Sequence, residues 1–247
     1  MIITSRDNKT VALVRKLAQK KYREEYGLFV AEGLRTVSDI TAFAPELVDQ
    51  VLVTTARASA FPDAVVVDDR VFESMSDTMH SQGVLAVLRI PELRPRDNGY
   101  ALFLDGVRDP GNVGTLIRTA CAAGYGDVYL KNCADAYSGK VVRSTMSAIV
   151  KVGIHDAHVG TVDALRSGGY TVIGADMDGR DIYGIAANAY DKVCVVVGGE
   201  ANGISEEIRS KCDDMISIPM EGDIESLNAA VSGALMMYQL KFNKINK

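Results

Sequence analysis

The chain has 247 residues, 47% hydrophobic and 24% charged, with a net charge of −5. That is enough for one large domain or two modest ones, and nothing in it reads as disordered or repetitive. Lys and Asp interrupt every long apolar run, which excludes a membrane-spanning helix. The opening "MIITSRDNKT" lacks the basic-then-apolar layout of a signal peptide. Cys121, Cys133, Cys194 and Cys212 are widely spaced with no CxxC, so neither a zinc site nor a disulfide framework is expected. These features point to a reduced, cytoplasmic protein.

In chain order, "TVALVRKLAQKKYREEYG" has helical spacing and ends near Gly27. Its basic face belongs to a cluster of Arg6, Lys9, Arg15, Lys16, Lys20, Lys21 and Arg23, a candidate phosphate-contacting surface or simply a solvated face. "LFVAEGLRTVSDITAF" reads as a strand and a helix. "VDQVLVTT", "AVVVDD" and "GVLAVLRI" read as strands around a short helix, "RVFESMSD". These form a small α/β domain over 1–90. "PELRPRDNG" has prolines, alternating charges and no apolar period, and a linker is set at 91–98.

From 99 to 247 strands and helices alternate. "YALFLDGV", "DVYLK", "KVGIH", "YTVIGADM", "KVCVVVGG" and "DMISIPM" are strand-like. "VGTLIRTACAAG", "GKVVRSTMSAIV", "TVDALRSG", "SEEIRSKC" and "SLNAAVSGALMMYQLKF" are helical. Continuous apolar strands alternating with helices imply an α/β fold, a mostly parallel sheet with helices on both faces. On the last helix, Leu227, Val231, Ala234, Leu235 and Tyr238 share one face, expected to be buried. Ligands of such sheets bind beyond the carboxyl ends of the strands.

Three strand-to-helix loops carry unusual chemistry. "LDGVRDPGNVGTLIRTA" has glycines, Asn112 near a helix start and Arg118 one turn past Gly114, but no GxGxxG and no Walker lysine. "VVVGGEANGIS" runs an apolar strand into Gly198-Gly199-Glu200, bare backbone suited to a flat polar ligand edge. "IPMEGDIESLNAAVSGA" puts Ser226 and Asn228 at the start of an apolar helix. Helix capping by Ser226 or a local bond from Asn228 explains one of them, not both. Together the loops offer backbone groups, Glu200, Ser226, Asn112, Asn228 and Arg118, without a Cys nucleophile or metal cluster. His155 and His158 lack a nearby third ligand, so no metal is expected. The inventory suits an adenosine-type cofactor, with Arg118 left for an anionic partner.

These stretches closely resemble the three motifs of the SpoU (TrmH-like) family of the SPOUT superfamily, RNA 2′-O-ribose methyltransferases. The resemblance covers 99–243; Ala201, Ala229 and Ala230 depart from its usual motifs. Residues 1–90 resemble the ribosomal-protein-L30e-like domain of rRNA-modifying members, on "FVAEGLRTVSDI" and the strand order. The resemblance implies a C-terminal trefoil knot and a homodimer through that domain. It implies S-adenosylmethionine held by Gly174, Ala175, Asp176, Val197, Gly198, Gly199, Ile218, Met220, Ser226 and Leu227. It further implies catalytic roles for Arg118, Asn112, Glu200, Ser226 and Asn228, with structured RNA, most readily 23S rRNA, as substrate. Arg35, and also Lys140 and Arg143 on a helix of the catalytic half, are expected near RNA. The alternatives are a tRNA substrate, an RNA-binding assembly factor with a vestigial pocket, or a nucleotide-dependent oxidoreductase.

Overall fold

The computed structural model describes residues 2–92, 94–185, 190–222 and 226–242. In chain order the first elements are β1 (Ile2–Ile3), α1 (Lys9–Lys16), α2 (Lys20–Tyr26), β2 (Leu28–Glu32) and α3 (Leu34–Phe43). β3 (Val48–Thr54), β4 (Val65–Val67), α4 (Asp69–Glu73) and β5 (Val84–Arg89) follow. Then come β6 (Tyr100–Asp105), α5 (Pro110–Ala123), β7 (Asp127–Lys131), α6 (Gly139–Thr145), β8 (Gly153–Asp156) and α7 (Val159–Ser167). The last are β9 (Thr171–Asp181), β10 (Val193–Gly198), α8 (Glu206–Arg209), β11 (Asp214–Ser217) and α9 (Ala229–Phe242). Among the described residues no helix is long and apolar enough to cross a membrane.

Contacts divide the chain into two units: Met1–Glu92 with Asp135–Val150, and Leu93–Ala134 with Lys151–Lys247. The chain therefore returns to the first unit after β7. α6, read from the sequence as a helix of the catalytic half, packs on β2 of the first unit instead. Periodicity reports that a helix has an apolar face, not which sheet that face will cover.

The first unit is a mixed five-stranded sheet in the order β1-β4-β3-β5-β2. The helix expected from 10 to 27 is broken into α1 and α2. Leu17 ends α1, its side chain buried and its carbonyl free to accept a 2.6 Å bond from Arg23 Nη1. Arg23 is only 4% exposed and also pairs with Asp135. It leaves the exposed basic cluster to which the sequence assigned it and ties segment 135–150 to this unit. Gly27, at φ +63°, then ends α2 in the left-handed conformation.

The second unit is a six-stranded, wholly parallel sheet in the order β11-β9-β10-β6-β7-β8. Its central strands are buried from Ala101 to Leu104 and from Val193 to Val197, as helices on both faces require. Chain order reverses between β6 and β10, making their carboxyl ends the switch point where ligands bind. α9 packs on α5 and β10. A Cβ at Gly233 would stand 2.4 Å from Leu116 Cδ2, so glycine permits this approach.

α9 corrects the expected face. Ala230, Gly233, Met236 and Met237 are buried, while Val231, Leu235 and Tyr238 are exposed at 48%, 41% and 46%. The helix is apolar all round, so periodicity could not choose the side that packs.

Replacing Asp135 by Asn keeps an acceptor for the Tyr137 amide but leaves the buried Arg23 cation without its countercharge. The expected cost is about 3 kcal/mol, read as a lower urea midpoint. A loss under about 0.5 kcal/mol would show that the pair does not hold this segment.

Candidate active site

α5 begins with Asp109 as its cap and Pro110 in its first turn; Asp109 Oδ1 accepts the Asn112 amide at 2.8 Å. This sets Asn112 at the helix start beside the end of β6. α9 begins at Ala229, three residues later than the sequence suggested, so Ser226, Leu227 and Asn228 precede the helix. The cap is Asn228: its Oδ1 accepts Ala230 N at 2.9 Å and Val231 N at 3.3 Å. Residues 223–225 of this motif lie outside the described residues.

Capping determines the direction of a side-chain relay. Backbone N–H groups only donate, so Asn228 must turn its oxygen to the helix and its Nδ2 outward. That Nδ2 donates to Asn112 Oδ1 at 3.0 Å. Asn112 then presents its own Nδ2 to Glu200 Oε1, at 2.6 Å. A carboxylate at one end and a helix N-terminus at the other polarise both amides in one sense. Arg118 is exposed on α5 and makes no hydrogen bond or ion pair among the described residues. The relay thus joins Glu200, Asn112 and Asn228 and does not include Arg118.

Beside the relay lies a cleft of about 600 Å³, within the range of small-molecule sites. Ala175 and Asp176 of β9 and Val197, Gly198 and Gly199 at the end of β10 line it. Ile218, Met220, Ser226 and Leu227 line it too, and Glu200 and Asn228 reach the same cleft. The Asp176 carboxylate is held by Arg209. Gly174 is not in the lining: it is buried beneath Met215 and Ile204, where a Cβ would come within 2.6 Å of Met215 Sδ.

The two glycines have a structural task that the sequence reading did not see. A Cβ on Gly198 would meet Gly203 C at 2.1 Å, and one on Gly199 would meet Gly106 O at 2.3 Å. Gly199 N donates to Asp105 O, and Gly199 O accepts Gly203 N, each at 2.9 Å. These bonds of Gly199 close the loop, and both glycines line the cleft.

Asp105 is the residue that sequence reasoning missed. Its carbonyl takes Gly199 N at 2.9 Å, its Oδ2 takes Ser205 N at 2.7 Å and its Oδ1 takes Lys131 Nζ at 2.9 Å. It therefore holds both ends of the loop that carries Glu200. Burial raises the carboxyl pKa, but the Ser205 hydroxyl and amide and the Lys131 ammonium outweigh it and hold the group below the usual Asp range. The available signal was an acid closing the apolar run "YALFLD".

His155 bonds Asp127 at 2.8 Å and His158 bonds Thr161 at 2.8 Å. Among the described residues no three His, Cys, Asp or Glu side chains gather as a metal-binding group. Burial pushes the Cys133 and Cys212 thiols up to about 11, so they stay protonated at neutral pH.

The profile of the SpoU rRNA methylase family matches residues 99–238. The chain belongs to this family. Residues 8–86 match the MRM3-like substrate binding domain. The 23S rRNA (guanosine(2553)-2′-O)-methyltransferase RlmP of Bacillus subtilis is 30% identical, over 97% of this chain and 98% of its own. An AdoMet-bound rRNA methyltransferase from Sinorhizobium meliloti superposes with a TM-score of 0.84 at 27% identity, covering 97% of each chain. A structure solved to explain 2′-OH methylation of C/U34 on tRNA has a TM-score of 0.50 at 27% identity. It covers 57% of this chain and 93% of its own. The family match coincides with the parallel sheet and all three loops of the site.

Substitutions at two positions test this SpoU site. Asp105→Asn leaves Lys131, 11% exposed, without its countercharge and should cost about 3 kcal/mol at pH 7. Because the folded pKa is lowered, the difference from wild type should persist down to about pH 4 and vanish as pH falls through the folded value. Urea midpoints against pH check this; a difference that grows in acid would refute it. Asn228→Asp keeps the capping oxygen and removes the donor to Asn112. Stability should stay within about 0.5 kcal/mol while methyl transfer falls at least about tenfold, whereas Asn228→Ala should also lose about 1 kcal/mol of cap. Full activity in Asn228→Asp would remove the relay from the mechanism.

Proposed function

We propose that this chain methylates a ribose 2′-hydroxyl of 23S rRNA, using S-adenosylmethionine. The observation that carries the reading is the Glu200–Asn112–Asn228 relay at the rim of a cleft at the sheet's switch point. The name and near-complete coverage of the Bacillus subtilis relative support the large-subunit RNA. A tRNA substrate is less well supported, since the tRNA-linked structure matches only 57% of this chain. A binding factor with a vestigial pocket would have no need of a complete relay, and no GxGxxG supports an oxidoreductase.

The residues present fit the cofactor: a concave site of adenosine scale, apolar at Val197, Ile218, Leu227 and Met236, without a lysine for a phosphate. Ile218 and Leu227 would hold the adenine edge, opposite Gly198 and Gly199. S-adenosylmethionine supplies a methyl group on an electrophilic sulfonium, so the protein's work is alignment and a stronger nucleophile. Ser226 and Asn228 would position the ribose, and the relay keeps the Asn228 amide in one orientation. Arg118 is a poor base, since a guanidinium does not give up its proton under ordinary conditions. Its guanidinium, exposed on α5, would pair with the phosphate beside the target ribose and stabilise developing alkoxide charge.

The first unit would select RNA: its part over 1–90 would be the substrate-binding domain, joined by a linker at 91–98 to the methyltransferase domain at 99–247, which lends the first unit its segment 135–150. The exposed Val231, Leu235, Tyr238 and Phe242 stripe of α9 supports a homodimer through the second unit, because an apolar helix face seeks cover. We further read a trefoil knot among the C-terminal strands and α9, on the family resemblance, and a cytoplasmic location beside the RNA.

The test is transfer of labelled methyl to unmodified total RNA followed by alkaline hydrolysis. Label should remain in alkali-resistant dinucleotides of the large rRNA. Arg118→Ala should lower transfer at least about 100-fold with cofactor affinity within about twofold of wild type. Label in mononucleotides would move the methyl to a base, and lost cofactor binding in the variant would overturn the role of Arg118.

A further inference from the structure

The first unit has a cavity of its own, about 260 Å³, where three segments meet: the turn from β2 into α3, the loop after α4, and the end of α6. Arg35, Thr36, Thr78, His80, Gln82 and Arg143 line it. The surrounding frame is built with unusual care. Glu32, 9% exposed, accepts Ser76 Oγ at 2.5 Å, Thr78 Oγ1 at 2.8 Å and Ser81 Oγ at 2.9 Å on one oxygen, and Asp77 N at 3.2 Å on the other. Gln82 Oε1 accepts Leu34 N at 2.8 Å, locking the same loop to the start of α3. Arg143 Nη1 reaches Asp77 Oδ2 at 2.8 Å, bringing in the segment that returns after β7. Met146, just past α6, holds φ +57°, rare for a residue with a Cβ.

A buried carboxylate with four donors on it has nothing left to offer a cation. Its effect is to hold a surface loop still. Two cations, Arg35 and Arg143, line the cavity beside that loop, which itself carries the exposed Asp77. Arg35 is exposed with no hydrogen bond or ion pair among the described residues, and so is His80. Arg143 commits one nitrogen to Asp77, whose side chain is 68% exposed, so the partner is readily exchanged for another anion. No Phe, Tyr or Trp lines the cavity, so it offers no broad ring for a base. Two guanidinium side chains on the lining of one small concavity match a phosphodiester.

We propose that this cavity seats one backbone phosphate of the substrate RNA, clamped by Arg35 and Arg143, with Glu32 as the positioning residue that preorganises the loop. It rests on the RNA-methyltransferase reading above and assigns to the first unit a built anion site. Recognition there is of backbone geometry, as structured RNA requires.

The test uses the full chain and protein-free 23S rRNA transcript. Arg35→Gln and Arg143→Gln should each raise the RNA KM about tenfold, with kcat and S-adenosylmethionine affinity retained. The slope of log affinity against log salt should fall by about 0.7 to 0.9, one phosphate contact. Arg35→Lys should recover part of the loss, and Glu32→Gln should raise KM without changing the salt slope as strongly. An unchanged KM and slope in both arginine variants would overturn the proposal. A KM rise seen only with ribosomal particles would overturn it too, in favour of a protein contact. Absence of transfer by the wild-type chain would strike the methyltransferase reading instead.

Discussion

The site depends on Asp105, an acid at the carboxyl end of a strand buried on both faces. Its backbone holds Gly199 and its carboxylate holds Ser205, so the loop bearing Glu200 is fixed at both ends by one residue. Lys131, from the next strand, makes that carboxylate tolerable in a buried position. A buried charge is costly unless paired and hydrogen-bonded, and here each oxygen has its donor. The glycines follow from the same constraint. With the loop drawn down onto β6, neither Gly198 nor Gly199 has room for a Cβ.

The second constraint is direction. An asparagine amide is ambiguous by itself; the α9 backbone removes the ambiguity at Asn228, and hydrogen bonding passes the decision to Asn112 and Glu200. One side chain therefore both starts the helix and orients the site, which explains why Asn228 stands at the head of an apolar helix. Arg118 stands apart from the relay, exposed and without a hydrogen bond or ion pair among the described residues. Alignment built on helix starts and strand ends suits a reaction whose main demand is geometry.

The first unit applies the same economy to a different end. Glu32 gathers hydroxyls and an amide to fix one loop, as Asp105 fixes another. Arg23 and Asp135 anchor the returning segment, and Arg143 comes with it. In both units buried charge is spent on holding surface loops in place.

Much of this was legible in the amino-acid order. Strand and helix alternation, the parallel sheet, its ligand-bearing edge and the three motif loops follow from apolar runs, glycine stops and the chemistry of Asn, Ser, Glu and Arg at loop positions. These are local signals, and local physics produces them. What the order of residues could not decide was every choice between equivalent partners. It could not say which face of an all-apolar α9 would pack, because periodicity is silent when every face is apolar. It could not send α6 to the first unit or bury Arg23, because an amphipathic segment does not name its sheet and a basic residue does not announce a distant Asp. It could not show Asp105 bracketing the Glu200 loop, nor Asn228 as cap and relay at once. Those depend on residues about 100 positions apart meeting within hydrogen-bond distance, and only the folded chain brings them there.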